Sequence, residues 1–101
     1  MKIAITSQEN SLTANIDPRF GRCSFFAIYD TETKNTNFIA NPAKESSEGA
    51  GPAAVQFIAA QGITKIIAGE FGMKIRSLLE SLNIEIKNEE GKTISQIINE
   101  L

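Results

Sequence analysis

Apolar residues in this chain fall into short runs, first at strand spacing and then alternating between strand and helix spacing. "KIAIT" at 2–6 is a β-rich run closed by the polar stretch that begins at Ser7, and it predicts a central strand. "SFFAIYDTETKNTNFIA" divides into two β-branched and aromatic runs, about 24–30 and 36–40, joined by a polar turn, the pattern of an antiparallel hairpin. After a loop at 41–48, "GAGPAAVQFIAAQG" has Pro52 near its start, Val55, Ile58 and Ala59 as an apolar face, and Gly62 as a stop, which predicts a helix. "ITKIIAG" is again a strand. "GMKIRSLLESL" then spaces Ile75, Leu78, Leu79 and Leu82 three and four apart, as an amphipathic helix does. "IEIK" at 84–87 makes a last short strand, and "TISQIINEL" sets Ile94, Ile97, Ile98 and Leu101 on one face of a C-terminal helix.

The order β-β-β-α-β-α-β-α, with no repeat or low-complexity tract, reads as a single α/β domain over 1–101. Late strands each preceded by a helix require right-handed parallel crossovers, while the early hairpin is antiparallel, so the sheet is expected to be mixed, in two or three layers. Strands one, three, four and five would then run the same way. The loops that follow them, 7–22, 41–50, 69–72 and 88–92, are expected along one edge of the sheet.

Composition narrows the function. A net charge of −2, with 42% hydrophobic and 22% charged residues, argues against a general nucleic-acid or bilayer binder. The N-terminal apolar run is too short for a signal peptide, and no run approaches the roughly 20 apolar residues that span a membrane, so a cytoplasmic location is expected. Cys23 is the only cysteine, which excludes an intrachain disulfide. The absence of histidine removes Ser-His-Asp and Cys-His catalysis and the usual zinc sites. Asp30, Glu32, Glu80 and Glu85 read as turn or solvent-face carboxylates rather than a paired catalytic site.

On the predicted loop edge, "IDPRFGRCSF" at 16–25 puts two arginines around "FG" and in front of Cys23. Guanidinium groups present rigid paired donors and stay charged, so Arg19 and Arg22 suit an anion clamp; the other reading pairs them on the surface with Asp17, Glu45, Glu48 or Glu70. Gly21 lies between them. Phe20 is read as a core anchor for the loop in preference to a stacking platform. "EGAGP" and "AGEFG" each open a helix, where unpaired amides and the helix dipole favour an anion. Gly49, Gly51, Gly69 and Gly72 therefore serve either as anion-receiving turns or only as tight strand-to-helix turns. Neither stretch fits a Walker loop or a dinucleotide fingerprint. Pro52 reads as a helix starter, and Met73 as packing. Cys23 is a soft-metal ligand beside Arg22 or a buried structural thiol, the latter preferred. One cysteine does not supply the four ligands of an iron–sulfur cluster.

"ANIDPRFGRCSFFAIYD" followed by "GAGPAAVQFIAAQGITKIIAGEFGMKIRSLLESLNIEI" resembles the dinitrogenase iron-molybdenum cofactor biosynthesis family, which includes NifX-like and NafY-like carriers and the C-terminal region of NifB-like proteins. The resemblance rests on D-x-R-F-G-R before an aromatic strand, G-A-G opening a helix and the glycine-flanked turn before the second helix, in that order. It implies a ribonuclease H-like mixed five-stranded sheet with flanking helices, without nuclease chemistry, since the first strand lacks metal-binding carboxylates. It also implies a non-enzymatic carrier whose cargo is an iron–sulfur or iron–molybdenum cluster, with the cluster or its donor and acceptor proteins as partners. Arg19, Phe20, Gly21, Arg22, Gly49, Gly51, Gly69 and Gly72 would then receive the cluster and Cys23 would supply one metal bond. A metal-free interaction or regulatory module on the same fold is the alternative, and an enzyme acting on a phosphorylated small molecule ranks third.

Overall fold

β1 (Lys2–Ser7) is paired on both sides and buried at every position after Lys2, which is why its sequence is nearly unbroken in apolar and small residues. The computed structural model describes residues 1–46 and 49–101; Glu48, one of the acidic partners considered for the arginines, lies outside them. The remaining elements are β2 (Phe25–Asp30), β3 (Thr36–Ala40), α1 (Ala50–Ala60), β4 (Ile63–Ala68), α2 (Met73–Ser81), β5 (Glu85–Asn88) and α3 (Ile94–Asn99). The five strands form one sheet in the order β3-β2-β1-β4-β5. β2 runs antiparallel to β1 and to β3, while β4 is parallel to β1 and β5 to β4. This is the mixed sheet with flanking helices expected from the sequence, and the chain leaves β1, β3, β4 and β5 at the same edge.

Strand alternation builds two cores. Ala4 of β1, Phe26 and Ile28 of β2 and Ile66 of β4 face one side, where Val55 and Ile58 of α1 and Leu79 of α2 cover them. Ile3 and Ile5, Ala27 and Ile67 face the other side, under Ile94 and Ile97 of α3 and under Ala14 and Ile16 from the loop after β1. The domain is thus three layers deep. No helix among the described residues is long and apolar enough to cross a membrane.

Local signals explain most boundaries. Gly62 takes a left-handed φ of 77° just past α1, as a helix stop should. α3 is only six residues long, yet it opens with a full capping box: Gln96 N–H donates to Thr93 Oγ1 at 3.2 Å and Thr93 N–H to Gln96 Oε1 at 2.8 Å. Several apolar positions are less buried than their spacing predicts. Ala59 sits on the exposed rim of the α1 stripe, and Leu82, at the end of α2, is 46% exposed. α3 ends at Asn99, so Leu101 lies beyond it, 45% exposed. Met73 does not pack at all: at the first position of α2 its side chain leans back past the helix start, and it is 86% exposed.

Two glycines seat the loop after β1 against the neighbouring turns. A Cβ on Gly69 would lie 2.5 Å from Pro18 Cα, and one on Gly21 would lie 3.0 Å from Gly51 Cα, so both contacts are backbone against backbone. Gly72, by contrast, has ordinary dihedrals (φ −66°, ψ 156°) and open space around it. Gly69→Ala is therefore expected to cost about 2–3 kcal/mol through overpacking, against less than about 1 kcal/mol for Gly72→Ala. Urea midpoints of the two variants check this, and equal losses would show that the contact between Pro18 and Gly69 is dispensable.

Candidate functional site

The segment after β1 folds back on the strand it leaves. Asp17 N–H donates to Thr6 O at 2.9 Å, and Thr6 Oγ1 donates to Asp17 O at 2.6 Å. This buries the Asp17 side chain to 3% exposure, and its Oδ1 accepts from Arg19 N–H at 2.9 Å and from Arg19 Nε at 3.4 Å. An Asp two residues before the amide it caps is the usual chemistry of such a turn. The Arg19 side chain is 60% exposed, and its two Nη groups have no partner among the described residues. The open end of the fork faces solvent.

Arg22 is used differently. Its Nη1 donates to Lys44 O at 2.9 Å and also to Ser46 O, so it braces the second half of the 41–46 segment. The two arginines do not present a free pair. Asn41, buried, completes the brace by donating Nδ2 to Gly21 O and Cys23 O, both at 3.0 Å, and by accepting from Ala43 N–H at 2.9 Å. Phe20 is 4% exposed, with its ring centroid 6.0 Å from that of Phe26 and 5.7 Å from that of Phe71. Its ring is closed in by protein, which leaves it as the anchor of the loop and corrects its place among the cluster-contacting residues. Cys23 is wholly buried in the core beneath α1 and α2. Burial first, and the negative charge of Asp17 second, push its thiol from the ordinary 9.0 up to about 12. In this conformation it offers no metal bond at the surface, and among the described residues no three His, Cys, Asp or Glu side chains are grouped to hold a metal ion.

The glycines divide into two kinds. Gly21, Gly51 and Gly69 are packing glycines: Gly51 leaves no room beside Ile75, and Gly69 is tied to the loop by the Glu70 N–H bond to Pro18 O at 2.8 Å. Gly49 and Gly72 are exposed N-caps of α1 and α2, and neither helix start has a side-chain cap or an acidic residue in its first turn. Contacts between Arg19 and Glu70, between Gly21 and Gly51 and between Gly51 and Ile75 thus draw the loop after β1 together with both helix starts.

Arg76 escaped sequence reasoning. Its Nη2 donates to Asn88 Oδ1 at 2.8 Å, Asn88 Nδ2 donates to Gly69 O at 3.0 Å, and its guanidinium lies 5.8 Å from the Phe71 ring centroid. The available signal was its position four residues after Gly72, inside the first turn of α2. A cavity of about 300 Å³ lined by Gly69, Asn88, Glu89 and Glu90 opens beside these groups. Lys92 and Lys87 stand 3.2 and 3.4 Å from Glu89 and hold its carboxyl below the usual range.

The family model described as "Dinitrogenase iron-molybdenum cofactor" matches residues 1–101. No curated protein matches significantly. Among solved structures, the apo form of the orange protein from Desulfovibrio gigas superposes with a TM-score of 0.91 at 31% identity, over 97% of this chain and 83% of that one. A NifB-type protein from Thermotoga, assigned to the DUF35 family, gives a TM-score of 0.84 at 30% identity, over 97% of this chain and 84% of the other.

The buried thiol makes stability depend on alkaline pH. Because its folded pKa, about 12, lies above the ordinary 9.0 of an unfolded thiol, its contribution is complete below pH 9 and is lost as pH rises from there toward 12. The stability gap between wild type and Cys23→Ala should therefore narrow by on the order of 1 kcal/mol between about pH 8 and pH 10. Urea titrations of the pair measure it, and a constant gap would mean that the thiol is not held in a desolvated site.

Proposed function

The chain belongs to the dinitrogenase iron-molybdenum cofactor family, and on that premise we propose that it is a non-enzymatic carrier for an anionic iron–sulfur or iron–molybdenum cofactor precursor, received at the Arg19 edge. One observation carries this reading: the free fork of Arg19 shares an edge with two uncapped helix starts. Such an edge offers charge and backbone N–H groups to an anion without offering metal ligands. The cargo would keep its own sulfur ligands and be held by its negative charge. That the orange protein was solved as an apo form fits a fold that takes up a separable group.

In this role Arg19 contacts the cluster, and the amides around Gly49 and Gly72 complete the cradle. Gly21, Gly51 and Gly69 allow the loops to approach closely enough, and Arg22 keeps the 41–46 segment in place. Cys23 bonds metal only if the loop opens, since its sulfur is buried as the chain stands. Donor and acceptor proteins for the cluster would be the natural partners. Glu70 and Glu90 on the same edge oppose an anion, and they favour the second reading, a metal-free interaction module.

Anaerobic titration with a synthetic iron–molybdenum–sulfur cluster anion separates these readings. Arg19→Gln is expected to weaken binding about tenfold, the loss of one charge-assisted contact, with stability unchanged and with the difference shrinking at high salt. Arg22→Gln should instead lower stability, by about 1–3 kcal/mol, because two carbonyls lose a charged donor. Wild type that refuses the cluster at every salt concentration would point to the interaction module.

A further inference from the structure

The two outer strands of the sheet are finished in different ways. β5 is four residues long and carries Glu85 and Lys87, which pair with Lys65 at 3.3 Å and Glu89 at 3.4 Å. Charges of this kind on a short edge discourage further pairing. β3, "TNFIA", has no charge and no proline. Its inward bonds are made by the odd-numbered positions, since Asp30 N–H donates to Asn35 O and Asn41 N–H donates to Ser24 O, both at 3.0 Å, in register with Ile28↔Asn37 and Phe26↔Ile39. In an antiparallel strand the alternate residues point the other way, so Thr36, Phe38 and Ala40 turn their N–H and C=O groups outward. None of these groups has a partner among the described residues. Phe38 is half-buried against the α3 core, and Ala40 is exposed.

We propose that β3 pairs antiparallel with β3 of a second copy of this chain, about a two-fold axis at Phe38, so that the two sheets become one. The occupant follows from self-complementarity. With the axis on an outward-facing residue, Phe38 opposes Phe38 of the partner subunit and Thr36 opposes Ala40 of the partner subunit, and each opposed pair exchanges two hydrogen bonds. Every outward donor meets an acceptor, an aromatic pair sits at the centre, and no like charges meet within the strand. The antiparallel arrangement places the two Arg19 edges at opposite ends of the joined sheet, so both stay open, and the pairing does not depend on what those edges bind.

Sedimentation equilibrium of the whole chain from about 1 μM to 1 mM tests the pairing and its register. Wild type should dimerise in this range. Thr36→Lys with Ala40→Lys sets like charges on opposed positions and should raise the dissociation constant at least about tenfold. Thr36→Lys with Ala40→Glu sets opposite charges there and should return it to within about threefold of wild type. Within one chain these positions are four strand residues apart, about 13 Å, so circular dichroism and urea midpoints should not separate the two variants. Wild type that stays monomeric to 1 mM, or two double variants that dissociate alike, would overturn the proposal.

Discussion

The candidate site depends on a steric constraint: the backbone around Pro18–Gly21 must approach two strand-to-helix turns more closely than a Cβ allows. At Gly69 an added methyl would fall 2.5 Å from Pro18 Cα, and at Gly21 it would fall 3.0 Å from Gly51. Contact at that range lets Glu70 N–H bond to Pro18 O at 2.8 Å, and it brings Arg19 beside the turn into α2. Phe20 then locks the loop from beneath, its ring inserted between Phe26 and Phe71. Of the four glycines in the turns before α1 and α2, Gly51 and Gly69 thus act first through packing. Any anion-receiving property comes from what their closeness assembles.

Under the loop the chain keeps charge oriented. Asp17 is buried and acidic, and it spends one oxygen on the backbone and side chain of Arg19. Cys23, nearby, stays neutral because burial and that same charge both oppose a thiolate. Asn41 donates to two carbonyls of the loop, Gly21 O and Cys23 O, and no described buried side-chain nitrogen or oxygen is left unpaired. Such satisfaction matters, since an orphaned buried polar group costs about 1–3 kcal/mol. Positive charge is thereby turned outward and negative charge inward, in a chain whose net charge is −2.

The mixed sheet was legible because each element carries a local signal. Alternation or β-branching marks the strands, Gly62 ends α1, and the spacing from Ile94 to Ile98 with Thr93 before it marks α3. From directions alone the loop edge followed, since codirectional strands must deliver their C-terminal loops to one side. What was not legible is where an arginine spends its donors. Arg22 binds carbonyls 22 and 24 residues away, and backbone carbonyls leave no trace in residue identity. Arg76 reaches Asn88 across the α2–β5 connection, a pairing that only tertiary placement creates. The burial of Cys23 was readable from its border position before β2, but the charge that keeps it neutral required knowing that Asp17 lies beneath the loop.

The unequal roles of the arginines also limit what kind of anion the edge suits. A clamp of two free guanidinium groups would favour a compact ligand such as phosphate, gripped from both sides. Here Arg19 has both Nη groups without a partner among the described residues, whereas Arg22 spends Nη1 on two carbonyls, and further donors are spread along the edge at the exposed starts of α1 and α2. Asp17 partly offsets the charge of Arg19, and Glu70 lies next to it, so a singly charged ion gains little against water. A broad anion carrying several negative charges meets more of the dispersed donors at once. Its charge is also large enough for modest contacts to add up. Dispersed charge beside two uncapped helix starts would suit the bulky polyanion of the proposed role better than a small ion.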